Sequence, residues 1–161
     1  MFGVNVRGTY TCSQACLPYL RASARAGRNP HILNLSPPLN LEPRWFGNHV
    51  AYTMAKYGMS MCVLGMAEEF RADGIAVNAL WPRTVINTAA IAMIPGVDPK
   101  MCRTPEILAD AAHVVLNRDA RKHTGHFYID EEVLAAEGVT DLGKYAVLKG
   151  NNKFLPDLFV D

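Results

Sequence analysis

No hydrophobic run in this chain approaches the roughly 18 residues that a bilayer-spanning helix needs, because Gly, Ser or a charged residue interrupts each one. The N-terminus also lacks the basic-then-apolar order of a secretory leader. A cytoplasmic location, without membrane association, is therefore expected. Charge is nearly balanced, with 16 Lys and Arg against 15 Asp and Glu and a formal net of +1. No basic stripe marks an electrostatic footprint for nucleic acid, so no such partner is expected. Cysteine is sparse: Cys12, Cys16, Cys62 and Cys102 include no Cys-x-x-Cys pair and do not suggest a disulfide framework. They read as reduced core thiols, with Cys12 and Cys16 on one helix face. His123-Thr124-Gly125-His126 has a ligand-like spacing, but a glycine leading into a strand offers no helix to aim both rings at one ion. No metal is expected there. Repeats and low-complexity segments are absent as well, and with half of its residues hydrophobic a 161-residue chain can bury a core.

What is present begins with Tyr52 and Lys56, four residues apart in Ala51-Tyr52-Thr53-Met54-Ala55-Lys56-Tyr57-Gly58. At the start of a long helix this spacing places a phenol and an ammonium on one face. A nearby cation favours the phenolate, and is expected to lower the tyrosine pKa toward the working range of a general acid–base. Upstream, Pro30-His31-Ile32-Leu33-Asn34-Leu35-Ser36 reads as a buried strand ending in a small hydroxyl residue. Downstream, Ile75-Ala76-Val77-Asn78-Ala79-Leu80-Trp81-Pro82 reads as a second strand.

Taken in order, Asn5-Val6-x-Gly8, Ile32-Leu33-Asn34-Leu35-Ser36-Pro37-Pro38-Leu39-Asn40, Tyr52-x-x-x-Lys56-x-Gly58-Met59-Ser60, Val77-Asn78-Ala79-Leu80-Trp81-Pro82 and Thr124-Gly125-x-Phe127-x-Ile129-Asp130 resemble the short-chain dehydrogenase/reductase family, in particular its hydroxysteroid-dehydrogenase-like branch. The resemblance runs over nearly the whole chain. It implies an α/β fold: the C-terminal half of a Rossmann-type, doubly wound parallel sheet of about three strands with flanking helices. The family's opening Gly-rich Thr-Gly-x-x-x-Gly-x-Gly turn, which holds a dinucleotide's pyrophosphate, and its Asn-Asn-Ala-Gly strand do not occur in these residues.

By the same resemblance, Tyr52 is the acid–base that exchanges a proton with a carbonyl or alcohol oxygen, and Lys56 binds the nicotinamide ribose and tunes Tyr52. Asn5 helps to hold a water in the proton relay. Ser36 is the doubtful member, because the family's substrate-polarising serine lies three residues after the strand asparagine, where this chain has Pro37. Adjacent strand residues face opposite ways, so a shift of one position turns a hydroxyl away unless the Pro37-Pro38 kink re-aims it. Arg83 likewise replaces a glycine that commonly follows Pro82. Cofactor contacts are expected from Lys56, Tyr52, Pro82, Thr84, Val85 and Ile86. The cofactor implied is NADP or NAD in the full-length family fold, and the substrate a small carbonyl or alcohol with an apolar body, as Val85, Ile86, Ala89, Ala90, Ile91 and Met93 suggest.

Along the chain the pattern predicts a helix over 2–26 containing Pro18, a strand over 31–36, a loop through Asn48, a helix over about 50–72 and a strand over 75–80. A helix beginning at Thr104-Pro105-Glu106 and a strand over 127–129 follow. Trp45 and Phe46 in the first loop either cover the site or pack beneath it. The whole of 1–161 reads as one partial Rossmann-type catalytic half, with 131–161 as a C-terminal tail docked on it through Leu155, Leu158 and Phe159. The two long helices resemble those that pair family subunits, so a homo-oligomer is expected. An alternative stays open: a non-catalytic truncated fragment that keeps a self-association surface but cannot bind cofactor.

Because most cofactor anchoring in this fold comes from the pyrophosphate turn and the adenosine pocket, the 161-residue chain alone is expected not to bind NADH or NADPH usefully. Losing even about 5 kcal/mol of contacts weakens a complex roughly 4,000-fold. Calorimetric titration with both nucleotides checks this, and a low-micromolar dissociation constant for either would refute it.

Overall fold

A computed structural model describes residues 1–160. Its centre is β2 (Ala76–Trp81), all six residues of which are buried. β2 pairs in parallel with β1 (His31–Asn34), with His31 opposite Ala76, and with β3 (Phe127–Ile129), with Ala79 opposite Phe127. The order is β1-β2-β3. Parallel neighbours need crossovers, and here these carry α2 (Val50–Glu69) between β1 and β2 and α3 (Glu106–Asn117) between β2 and β3. α1 (Thr9–Arg25) precedes the sheet and α4 (Asp130–Ala136) follows it directly.

Alternation along β2 divides the core. Val77 and Ala79 pack with Leu17 and Ala24 of α1 and with Val63, Met66 and Ala67 of α2. Leu80 turns the other way, into a cluster with Ile107, Ala111 and Val115 of α3 and Val133 and Leu134 of α4. With apolar cover on both faces, β2 is the continuous hydrophobic run typical of a central parallel strand. Among the described residues β1 pairs only with β2, and its four residues are all partly exposed. The near-continuous apolar sequence of β1 fits an interior strand, yet in this chain it is an edge.

The Thr124-Gly125 motif has a structural task. Thr124 Oγ1 accepts from the Val77 N–H at 3.0 Å and the Gly125 N–H donates to the Val77 carbonyl at 2.9 Å, while Asn78 bonds the His123 carbonyl and the His126 N–H. These bonds extend the β2–β3 ladder before β3 formally begins.

The first expected helix is composite: Gly3–Gly8 forms a π-helical turn that leads into α1. α1 runs through Pro18, whose exposed ring leaves one backbone bond unmade rather than ending the helix. The expectation of core thiols fails for Cys12 and Cys16, which are exposed; only Cys102 is buried, and Cys62 is intermediate. The core side of α1 is set by Ser13, Leu17 and Ala24, and each of the two cysteines precedes one of the first two by one residue, about 100° round the helix. The strand predicted over 31–36 ends at Asn34 because Pro37 and Pro38 have no N–H to continue a ladder. Among the described residues no helix is long and apolar enough to cross a membrane.

Three side chains of α2 clamp the loop that follows β1: Thr53 donates to the Trp45 carbonyl, Tyr57 to the Asn40 carbonyl and Ser60 to the Pro37 carbonyl. Trp45 and Phe46 accordingly pack beneath the site, in a cluster with Tyr57, Trp81 and Phe159. The tail docks through this same cluster, with Phe159 only 2% exposed.

Gly58 is where α2 admits the N-terminal turn, since a Cβ there would lie 2.6 Å from Val6 Cγ2. Gly58→Ala should destabilise the chain by about 1–2 kcal/mol, and Val6→Ala in the same background should recover most of it. Denaturant melts of the two single variants and the double variant check this; equal melts of Gly58→Ala with and without Val6→Ala would show that the contact is not what the glycine relieves.

Candidate active site

The carboxyl end of β2 delivers Trp81 and Pro82 to the mouth of a cleft of about 1020 Å³. The first turns of α2 supply His49, Tyr52 and Lys56, and the segment after β2 supplies Val85, Ile86, Thr88, Ala90, Ile91 and Ile94. The third wall is the tail. Thr84 and Pro156 form an antiparallel bridge, the Val85 N–H donates to the Leu155 carbonyl at 2.9 Å, and the Asp157 N–H donates to the Arg83 carbonyl at 3.1 Å. Trp81 Nε1 then donates to the Leu158 carbonyl at 2.8 Å. Phe159 packs behind this wall, its ring stacked 6.3 Å from that of Tyr52 with 14° between the planes.

Helical spacing brings Tyr52 and Lys56 to one wall, as the sequence predicts. Their electrostatics differ from the expectation. The Tyr52 phenol is pushed up to about 12, first by burial and then by the Asp157 carboxylate, rather than lowered by the lysine. Lys56 spends its ammonium elsewhere: Nζ donates to the Leu35 carbonyl at 3.0 Å and stands 5.2 Å from the centre of the Trp81 ring. Burial lowers its pKa, and Asp157 opposes that. Desolvation is the largest influence on both groups: at Tyr52 Asp157 adds to it, and at Lys56 it outweighs the attraction of Asp157.

Of the other expected residues, Pro82, Val85 and Ile86 line the cleft. Thr84 is buried beside them, and its Oγ1 has no hydrogen-bond partner. Ser36 is fully buried with an unpartnered hydroxyl, and it is Leu35, its neighbour, that reaches the cleft wall. Ser36 lies two residues past β1, in a tight turn whose Ser36 N–H donates to the Asn34 carbonyl at 3.0 Å, and it is not among the residues lining the cleft. Asn5 lies in the π-helical turn, where Nδ2 donates to the Met1 carbonyl at 3.1 Å; it is not among the residues lining the cleft.

Sequence reading missed Asp157, Asp130 and His49. Asp157 sits in Leu155-Pro156-Asp157-Leu158-Phe159, where only the apolar residues carried a signal, for docking. Asp130 begins α4, and its Oδ1 accepts the N–H groups of Arg83 and Glu131 at 2.9 and 2.8 Å. It thereby fixes the turn in which arginine replaces the expected glycine. Burial pushes Asp130 up to about 6, against the pull of those two donors. The His49 ring lies 6.5 Å from Tyr52 and 6.4 Å from Phe159, with Nε2 buried and unpartnered.

The chain resembles known proteins along its whole length. Residues 1–128 match the family model described as enoyl-(acyl carrier protein) reductase. Hydroxysteroid dehydrogenase-like protein 2 of Xenopus tropicalis is 58% identical over 163 residues, and its human counterpart 53% identical over 163 residues. All of this chain is covered in both comparisons, but only 37% of each relative, so the chain spans little more than a third of their length. Among solved structures, a putative dehydrogenase from Xanthomonas campestris is 56% identical with a TM-score of 0.92, covering 99% of this chain and 57% of that one. A short-chain dehydrogenase from Mycobacterium thermoresistibile is 49% identical with a TM-score of 0.86, covering 99% of this chain and 55% of that one.

A carboxyl whose folded pKa is raised binds protons more readily than it does in the unfolded chain. The stability this gives is fully present below the unfolded pKa and is lost as pH rises through the folded one. For Asp130 that window runs from the ordinary 3.8 to about 6. Asp130→Asn, which mimics the protonated form, should therefore gain stability relative to wild type between about pH 5 and about pH 7.5. Paired thermal melts at the two pH values check this, and a difference that is constant or shrinks with pH would contradict it.

Proposed function

We propose, for this chain, which belongs to the short-chain dehydrogenase/reductase family, that it is the catalytic half of an NAD(P)-dependent oxidoreductase interconverting a carbonyl and an alcohol on a substrate with an apolar body. The observation that carries this reading is the placement of Tyr52 and Lys56 on one wall of an apolar cleft, at the carboxyl end of the sheet. Open parallel sheets bind ligands at that end. Family membership and the dehydrogenase relatives support oxidoreductase chemistry in general; the substrate and the residue roles are the proposal.

The residues at the cleft fit the nicotinamide end of such a cofactor. Thr84 Oγ1 is a buried hydroxyl in want of a partner, as a carboxamide would supply, and Lys56 holds an ammonium at the entrance. Lys56, Tyr52, Pro82, Thr84, Val85 and Ile86 would hold that end, and the bound group supplies a hydride. Tyr52, protonated throughout the neutral range, donates its phenolic proton to the carbonyl oxygen during reduction and recovers one from the alcohol in reverse. The apolar wall of Val85, Ile86, Ala90, Ile91 and Ile94 excludes water and takes the substrate body. Asn5 and Ser36 have lesser parts: the first supports the turn against α2, and the second lies behind the wall. A cytoplasmic location belongs to the same reading.

A second reading, a non-catalytic fragment with a self-association surface, is favoured by one feature. Tyr10 of α1 and Met61 of α2 are exposed at a shallow groove of about 400 Å³, and Tyr19, Met54 and Leu64 are exposed elsewhere on the same two helices. In an enzyme this face would pair subunits into a homo-oligomer; in a fragment it would be all that functions.

In the protein extended to the length of its relatives, Tyr52→Phe should reduce carbonyl reduction by roughly a hundredfold or more while leaving cofactor binding nearly intact. Ser36→Ala should cost much less. Retention of more than about a tenth of the rate in Tyr52→Phe would remove Tyr52 from the acid–base role, and equal losses in the two variants would restore Ser36 to the substrate. A wild-type protein of that length that self-associates but turns over no carbonyl substrate would favour the second reading.

A further inference from the structure

The tail places one carboxylate where the family resemblance predicts none. Asp157 lines the cleft together with Tyr52, Lys56, Trp81 and Pro82. Its position is fixed from both sides: its own N–H donates to the Arg83 carbonyl at 3.1 Å, its Oδ1 accepts the Leu158 N–H at 2.6 Å, and the Leu158 carbonyl accepts Trp81 Nε1 at 2.8 Å. Pro156 before it bridges Thr84, and Phe159 after it is buried against Tyr52 and Tyr57. A charged side chain held this firmly in a half-buried cleft carries a desolvation cost, which structural packing of the tail does not require. Docking needs Phe159 and Leu158, not an acid between them and Pro156.

We propose that Asp157 is a positioning residue of the cleft: its carboxylate, fixed on the wall that Tyr52 and Lys56 also line, is the counter-charge that orients the Lys56 ammonium. This rests on the acid–base reading of Tyr52 and Lys56 given above. The groups that face Asp157 come from each element around it. Lys56 on α2 attracts it, Asp130 at the start of α4 repels it, and Tyr52 on α2 and the Cys102 thiol before α3 both feel its charge. Asp130 is in turn influenced by Glu131 and Arg103. Burial, then the repulsion of Asp130, push Asp157 up to about 6 against the pull of the Leu158 N–H and Lys56. Ionised, it raises both Lys56 and Tyr52. The sign follows: above about 6 the carboxylate is charged and both neighbours hold their protons more tightly, and below it both become more acidic. Tyr52, held at about 12, stays protonated on both sides of that step, so the charge on Asp157 reaches the reaction through the Lys56 ammonium and the acidity of the phenol, not through the fraction of Tyr52 protonated.

The test follows the Lys56 side chain by carbon-13 NMR of lysine-labelled protein, with the resonance assigned through Lys56→Arg. In the wild-type chain the Lys56 resonance should show a step near pH 6, where Asp157 gains its charge. Asp157→Asn, which keeps an acceptor for the Leu158 N–H, should abolish the step and lower the Lys56 titration midpoint; Asp157→Glu should restore both. Asp130→Asn should move the step to lower pH without removing it. In the protein extended to the length of its relatives, Asp157→Asn should lose roughly tenfold in kcat for reduction, with KM changed less than about threefold, and its pH profile should lack the corresponding inflection. A Lys56 resonance with no step in wild type overturns the proposal even if Asp157→Asn does not fold. A step that survives Asp157→Asn but vanishes in Asp130→Asn overturns it too, because the proton would then belong to Asp130. Absence of turnover in wild type would count against the functional reading alone, since the Lys56 resonance still decides the role of Asp157.

Discussion

Burial of β2 on both faces is the constraint from which the site follows. A strand with no solvent-facing residue cannot shift register without exposing apolar side chains or burying unpaired amides, so its carboxyl end is a fixed point. Trp81 and Pro82 leave from that point, and the Trp81 indole N–H anchors the tail through the Leu158 carbonyl. α2 is held to the same strand by Val63, Met66 and Ala67, which sets where Tyr52 and Lys56 emerge two to three turns earlier. The cleft is thus assembled by three segments distant in sequence, each referred to one buried strand.

Electrostatics in the cleft are governed by solvent exclusion more than by the nearest charge. An ammonium lowers a phenol's pKa only if its attraction exceeds the cost of charging the phenolate in a poorly solvated place, and at Tyr52 burial, reinforced by Asp157, raises the pKa instead. The acids illustrate the same balance from the other side. Asp130 and Asp157 accept backbone hydrogen bonds that stabilise their ionised forms, yet both are raised to about 6. A site in which burial dominates is sensitive to anything that changes the access of water, and the docked tail is what controls that access here.

The sequence made the topology legible because the strands are short apolar runs bounded by Pro, Asn and Gly, and because the Tyr52–Lys56 spacing is fixed by helix geometry alone. At the end of β1 it is Leu35 that lines the cleft, while Ser36 is buried in the turn that follows the strand. What escaped were features that depend on the tail crossing the end of the sheet. No local pattern in Leu155-Pro156-Asp157-Leu158-Phe159 marks Asp157 as lining one cleft with Lys56, about a hundred residues away, since the tail reaches that cleft only as Phe159 enters the aromatic cluster. The exposed Cys12 and Cys16 were misread for a related reason. An apolar stripe on a helix shows which residues avoid water, but it does not show which stripe the sheet covers.

The half-sheet also carries its own incompleteness in physical terms. β1 is apolar enough to be interior but is covered on only one edge, and an unpaired parallel edge of this kind seeks another strand. Structural relatives of which this chain covers 57% and 55% have further chain beyond the matched part. The cleft wall that carries Tyr52 and Lys56 is built within these residues, from α2, the end of β2, Leu35 just past β1 and the tail. Binding a dinucleotide is different, because the pyrophosphate turn of this fold lies on strands beyond β1. The division runs along one strand edge: the residues that line the cleft lie on this side of it, and in this fold the pyrophosphate turn lies on the other.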